Sequence, residues 1–250
     1  MQLIILAAGM GTRLMPITAK IPKCLVPLRG KTILEWQIEV AQSIGIEDII
    51  VITGFRSEAI QIPGITKVHN PQYKNSNMVY SLFCAEPIMK PEFVISYGDI
   101  VYSPEILSRL IKSEAPISVV VDDKWKQYWN ERFDNPLEDA ESLKITNESI
   151  YSIGQKPNDV KEIESQYIGL TCIKHSGKKA FLDTYKNFSE QNPMAARHLY
   201  MTDLLQMLAD QFIKLTPVHI NRGWVEIDSL SDLSIAEKHF HTIIQNEKSL

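Results

Sequence analysis

The segment Met1–Val26 restricts the fold more than any other stretch of the chain. An apolar β-type run (Leu3, Ile4, Ile5, Leu6) meets Ala7 and Ala8, and then a Gly9-Met10-Gly11-Thr12-Arg13 loop. A buried strand of this kind delivers its loop to a sheet edge. There, small residues let the backbone approach a phosphate with its N–H groups turned inward. Arg13, and Lys23 beside Pro22, add fixed positive charge around the same space. This is the layout of a nucleoside-triphosphate site, with Leu6 to Thr12 (Leu6, Ala7, Ala8, Gly9, Met10, Gly11, Thr12) facing the nucleotide. Two commoner glycine loops are excluded. No Gly-x-x-x-x-Gly-Lys-Ser/Thr string occurs. The dinucleotide pattern Gly-x-Gly-x-x-Gly fails at Leu14.

With 250 residues, the chain is long enough for one large α/β domain; hydrophobic content of 44% and charged content of 22% are those of a globular protein. A net charge of −4 without a long basic cluster argues against nucleic acid as a partner. Cys24, Cys84 and Cys172 lie far apart among apolar neighbours, as buried reduced thiols do. No basic leader or long apolar segment is present, so the expectation is a cytoplasmic protein away from membranes.

Strand and helix signals alternate in the first half. They predict strands at 3–7, 48–53, 66–69, 93–97 and 117–121, with helices at 32–44, 78–86 and 104–113. This is an α/β pattern, a Rossmann-like, mostly parallel central sheet flanked by helices. The second half is less regular. Residues 124–141 show poor periodicity and read as an excursion, 142–153 as a hairpin, and 167–174, 215–220 and 224–227 as strands. Helices are expected at 177–188, 199–208 and 230–244. The whole reads as a single domain over 1–250. Its nucleotide half covers about 1–121, its acceptor half with a small β excursion about 122–223, and its closing strand and helix about 224–250.

Two acids stand at strand ends. Asp99 follows the 93–97 strand and Gly98, at the carboxyl end where open α/β sheets bind ligands. Asp228 closes Trp224-Val225-Glu226-Ile227-Asp228, and strand alternation places Glu226 on its side. Carboxylates beside triphosphate oxygens are natural Mg²⁺ partners, since Mg²⁺ takes few protein ligands plus phosphate and water. Taken alone, each Asp also suits a turn or helix cap.

The strings LAAGMGTRL and PKCLVPL resemble the signature of the nucleotidyltransferases. Asn77-Met78-Val79-Tyr80-Ser81-Leu82, Gly98-Asp99 and Val225-Glu226-Ile227-Asp228-Ser229 narrow the resemblance to the CTP:phosphocholine cytidylyltransferase group, with its phosphonate and phosphoglutamine relatives. That resemblance implies CTP as one substrate and a small phosphorylated or phosphonate metabolite as the other, with pyrophosphate released. It implies Mg²⁺ on Asp99 and Asp228, phosphate contacts from Arg13 and Lys23, these four being the catalytic set, and Asn77, Ser81 and Gly98 around the nucleotide. Asn77 is equally suited to cap a helix. A homodimer is admitted by the resemblance.

The acceptor side is open. Ile153-Gly154-Gln155-Lys156-Pro157 and Gln166-Tyr167-Ile168-Gly169-Leu170 are similar to acceptor-lining segments of the sugar-phosphate members, with Gln155 in place of their acid. Lys156 is the candidate for the acceptor phosphate, with Gln166, Tyr167, Asp203 and Glu226 alongside. Trp125 and Trp129, with Tyr128, suit either a cation–π site for an amine or an anchor for the excursion. Arg132 suits a carboxylate-bearing acceptor. Three alternatives stand beside the cytidylyltransferase reading: a sugar-1-phosphate nucleotidyltransferase using UTP, dTTP or CTP, a molybdopterin-type cytidylyltransferase, and a non-catalytic nucleotide-sensing module.

Overall fold

A seven-stranded sheet forms the centre of the molecule, with the order Thr216–Ile220, Ile117–Asp122, Gln166–Ile173, Phe93–Tyr97, Gln2–Ala7, Asp48–Thr53, Thr66–His69. The computed structural model describes residues 1–244. All neighbouring strands run parallel except around Gln166–Ile173, which is antiparallel to both of its neighbours. The first strand has neighbours on both edges and is covered on both faces. Leu3 and Ile5 enter one apolar cluster and Ile4 the other. That is why the sequence here is a continuous apolar run rather than an alternating one.

Helices Ile33–Ser43, Pro104–Lys112 and Leu230–Ile244 cover one face; Met78–Phe83, Ser176–Gln191 and Met201–Asp210 cover the other. Helix Ile33–Ser43 starts where its signals place it. The Thr32 hydroxyl accepts from Glu35 N, and the Glu35 carboxylate accepts from Thr32 N. It ends one residue short of the expected boundary, and Gly45 follows at φ 83°. Among the described residues, no helix is long and apolar enough to cross a membrane.

The expectation of an irregular excursion over 124–141 is corrected: Trp125–Arg132 is an α-helix, followed by a 3₁₀ turn at Pro136–Glu138. Its inward positions are Trp125, Tyr128, Trp129 and Arg132, an unbroken i, i+3, i+4, i+7 stripe. The period is hidden in the sequence because a charged residue holds its last place. The hairpin Leu143–Thr146 and Ser149–Ile153 forms as expected. Asn147 and Glu148 both take positive φ at its turn.

A short antiparallel ribbon, Ile100–Tyr102 against Trp224–Glu226, pairs Ile100 with Glu226. Ile227 N donates to Asp99 O at 2.9 Å just beyond it. This ribbon joins two sheet ends that are far apart in sequence, and it sets Asp99 beside Asp228.

Candidate active site

The glycine loop leaves the central strand and is held by Thr18, whose hydroxyl donates to Gly11 O at 2.7 Å. Gly11 is left-handed (φ 61°), and a Cβ there would meet Lys23 Cβ at 2.9 Å. Only glycine satisfies both the backbone conformation and the approach of Lys23. A Cβ on Gly9 would meet nothing within 4 Å, so this face of the loop is open. Gly98 is the opposite case: a Cβ there would run into the Leu6 carbonyl.

The Lys23 ammonium donates to Asp99 Oδ2 at 2.6 Å and also to Asp228 Oδ1. Arg13 pairs with the other Asp228 oxygen. Burial works against the charge on Lys23, but Asp99 and Asp228 outweigh it and raise its pKa above the ordinary value. The main-chain N–H groups of Asp228 and Ser229 and the Ser229 hydroxyl all donate to Asp232, and Ser229 caps the last helix. Capping therefore falls to Ser229 and Asp232, which leaves the Asp228 carboxylate to the two cations.

These groups line a cavity of about 310 Å³ with Leu6, Ala7, Ala8, Gly9, Gly11, Thr12, Asn77, Ser81 and Gly98. Met10 does not line it and is 41% exposed. Asn77 Oδ1 accepts from Met78 N at 2.8 Å, so it caps the helix and lines the cavity at once. Ser81 accepts from buried Asn70 Nδ2 at 2.8 Å and donates to Asn77 O at 3.2 Å. Cys24 also lines this cavity, and burial pushes its thiol up to about 12, which favours the neutral form.

A second cavity of about 230 Å³ shares Arg13, Met78, Tyr97 and Asp228 with the first. The two adjoin at these four residues, and Lys23 and Asp99 line the first beside them. Gln166, Tyr167, Trp129 and Glu226 line it, as do Tyr97, Asp139, Glu141, Tyr200 and Thr202. Gly169, at φ 85°, admits the Tyr97 ring to the space a Cβ would take. Glu141 is fixed at both ends of its backbone by Gln166: Glu141 N donates to Gln166 Oε1 at 3.1 Å, and Gln166 Nε2 donates to Glu141 O. Burial, with Asp139 and Asp203 nearby, pushes Glu141 up to about 7.

Residues 3–214 match the model of the MobA-like NTP transferase domain. The chain belongs to this family. The CTP:phosphoglutamine cytidylyltransferase of Campylobacter jejuni is 37% identical over 249 residues, spanning 94% of this chain and 98% of its own. The choline-phosphate cytidylyltransferase of Streptococcus pneumoniae is 36% identical over 117 residues, 45% of this chain and 51% of its own. Among solved structures, the inositol-1-phosphate CTP transferase of T. maritima has the same fold, with a TM-score of 0.76 at 21% identity, covering 100% of this chain and 98% of that one. The resemblance carried by the opening loop and the later motifs thus holds.

Not every acceptor-side residue of this MobA-like transferase lies where the sequence suggests. Trp125 lines neither cavity. It is 3% exposed and packs edge-on to Trp129, so of the two readings of the aromatic run it takes the anchor. The Arg132 side chain is 1% exposed, bound to Glu226 Oε2 at 2.6 Å and Asp232 Oδ1 at 2.9 Å, and is not presented to an acceptor. Lys156 Nζ donates to the carbonyls of Leu137 and Glu138 and does not line the cavity. Asp203 accepts from Tyr200 N at 2.7 Å as a helix cap. Tyr97 and Glu141 are cavity residues that the sequence reading left out. Tyr97 stands directly before Gly98-Asp99, which was a usable signal; for Glu141 there was none beyond its place among the acids of the excursion.

The acids fit a divalent ion. Asp99 Oδ1 is buried without a hydrogen-bond partner, and Asp228 shares the same cation. Among the described residues, no group of three or more His, Cys, Asp or Glu side chains could hold a metal. An ion here therefore needs oxygen ligands from phosphate and water, as Mg²⁺ ordinarily takes.

Proposed function

We propose that the protein is a Mg²⁺-dependent cytidylyltransferase that joins CTP to a small phosphorylated or phosphonate metabolite. The observation that carries this reading is the Arg13–Lys23–Asp99–Asp228 cluster in the glycine-loop cavity, whose Arg13 and Asp228 also line the second cavity. Full-length similarity to a protein named CTP:phosphoglutamine cytidylyltransferase supports cytosine as the base and a phosphorylated amino-acid-like or amine acceptor. A net charge of −4 suits cytoplasmic work on small metabolites rather than on nucleic acid.

CTP occupies the cavity of the glycine loop, with its phosphates against the Gly9 backbone and its base toward Asn77 and Ser81. An oxygen of the acceptor phosphate or phosphonate attacks the α-phosphorus in line. The new P–O bond forms as the bond between the α-phosphorus and the bridging oxygen breaks, and pyrophosphate departs with that electron pair. The attacking oxygen is already anionic, so no general base is required. Catalysis rests on positioning and on charge stabilisation. Asp99 and Asp228 would hold Mg²⁺, which when bound neutralises phosphate charge. Lys23 and Arg13 would offset charge on the α-phosphate and the departing pyrophosphate.

The test is a pyrophosphate-release assay crossing the four ribonucleoside triphosphates and dTTP with phosphocholine, 2-aminoethylphosphonate, phosphoglutamine and several sugar phosphates. The expected result is release with CTP and a non-sugar acceptor. Preference for UTP or dTTP with a sugar phosphate, or no release with any pair, overturns the reading.

A further inference from the structure

The second cavity treats its acids unequally. Arg132 approaches from behind, bound to Glu226 at 2.6 Å and 3.9 Å from Asp139. Glu141 lines the same cavity beside Thr202, yet among the described residues it has no ion pair. Gly154, at φ 82°, lets Thr202 pack against it, since a Cβ there would meet Thr202 Cβ at 2.5 Å. Among the described residues, Arg13 is the basic side chain that lines the cavity, and it is held at the nucleotide end by Asp228. Much of the remaining lining is aromatic: Tyr97, Trp129, Tyr167, Tyr200 and Trp224. A carboxylate without a cation, facing aromatic walls, suits a positive group, which gains from both the charge and the ring faces.

We propose that Glu141 is the specificity-determining residue of the acceptor site and binds an ammonium group on the acceptor. This rests on the reading of the second cavity as the acceptor site. The push of the Glu141 acid up to about 7 agrees with a carboxylate whose counter-charge comes from a ligand. An acceptor carboxylate, by contrast, meets no unengaged arginine, because Arg132 is closed in by Glu226 and Asp232.

The test is calorimetric binding to the intact protein, which needs no turnover. Phosphoethanolamine, n-propyl phosphate and phosphoglycolate carry a phosphate with a positive, neutral or negative end. The wild-type protein is expected to bind phosphoethanolamine at least about tenfold more tightly than n-propyl phosphate, and phosphoglycolate the most weakly, as one charge-assisted hydrogen bond would give. Glu141→Gln should narrow the first gap to under about threefold. Glu141→Asp keeps the charge but withdraws it, giving an intermediate gap and serving where the amide variant does not fold. An unchanged gap in Glu141→Gln or, failing that, Glu141→Asp, or a wild-type protein that does not favour phosphoethanolamine, overturns the proposal. Pyrophosphate release with CTP is scored separately, so a failed cytidylyltransferase reading and a failed role for Glu141 give different patterns.

Discussion

Lys23 Nζ lies 2.6 Å from Asp99 Oδ2 across 76 residues of sequence, and the same ammonium reaches Asp228. One lysine thus keeps two carboxylates together at the meeting of the two cavities. Lys23→Met should lower turnover by about 10²–10³-fold, the usual cost of one preorganised charge. It should also destabilise the fold by about 1–3 kcal/mol, because the side chains of Lys23 and Asp228 are both only 13% exposed and the acids would then repel each other. Mg²⁺ should restore more of the melting temperature in Lys23→Met than it adds to the wild type. A variant with wild-type turnover would remove Lys23 from the catalytic set.

Arg132 sits inside the molecule at 1% side-chain exposure and is bound to two acids from the closing segment. Replacing it with Met keeps much of the volume but leaves Glu226 and Asp232 without their cation. Breaking a buried pair on one side costs about 3–5 kcal/mol, more than the pair itself contributes. Urea unfolding should show a loss in that range for Arg132→Met, and a smaller one when Glu226→Gln and Asp232→Asn are added. Equal losses in the single and triple variants would mean that the arginine acts through packing on Tyr128, Trp129 and Phe133.

Gly9 and Gly98 separate the ligand role of glycine from its folding role. An alanine Cβ at Gly98 runs into the Leu6 carbonyl, a main-chain group in the middle of the sheet that cannot move cheaply. Gly98→Ala should cost about 1–3 kcal/mol of stability as well as nucleotide affinity. Gly9→Ala meets no atom within 4 Å, so its melting curve should match the wild type. Its methyl would stand in the space assigned to the phosphates, and the Kd for CTP should rise by about tenfold or more, as for loss of close backbone contact. A Gly9→Ala protein that binds CTP normally would take the phosphates away from the glycine loop.

Strand positions and the nucleotide cavity are the most legible parts of this chain. Central strands such as Asp48–Thr53 are short apolar runs bounded by turn residues, and that signal is local. The glycine loop is local as well, so Gly9, Gly11, Arg13 and Lys23 could be grouped by sequence alone. Asp99 and Asp228 could be named from strand ends, but their meeting depends on the Ile100–Tyr102 ribbon, too short to carry a pattern. The acceptor side failed for a different reason. Arg132 occupies a position that the helical period assigns to an apolar side chain, and its partners lie about a hundred residues away. A charge buried by distant partners reads in sequence like one free to bind a ligand. Lys156 shows the same limit: two carbonyls that hold its ammonium carry no sequence signal.

Asp232 and Glu141 shift in opposite directions, and together they set a shape for stability against pH. Burial disfavours the charge on Asp232, but hydrogen bonds from Arg132 and from Ser229 and Asp228 outweigh it, so its pKa falls below the ordinary value. With a lowered folded pKa, the unfolded chain takes up its proton first as pH falls. The contribution of Asp232 is therefore full above the unfolded value of about 3.9 and is lost as pH drops through the folded one. Glu141 is raised to about 7 by burial and by its acidic neighbours. There the folded state holds the proton longer, so its contribution is full below the unfolded value of about 4.3 and declines as pH rises toward 7. The melting temperature of the wild-type protein should accordingly pass through a maximum near pH 4–5. Asp232→Asn should reduce the acid limb, which Glu35 shares, and Glu141→Gln the limb between pH 5 and 7, which it shares with Glu226, also pushed up to about 7 by burial. A Glu141→Gln profile that runs parallel to the wild type across that interval would show that Glu141 is ionised in the folded protein as readily as in the unfolded chain.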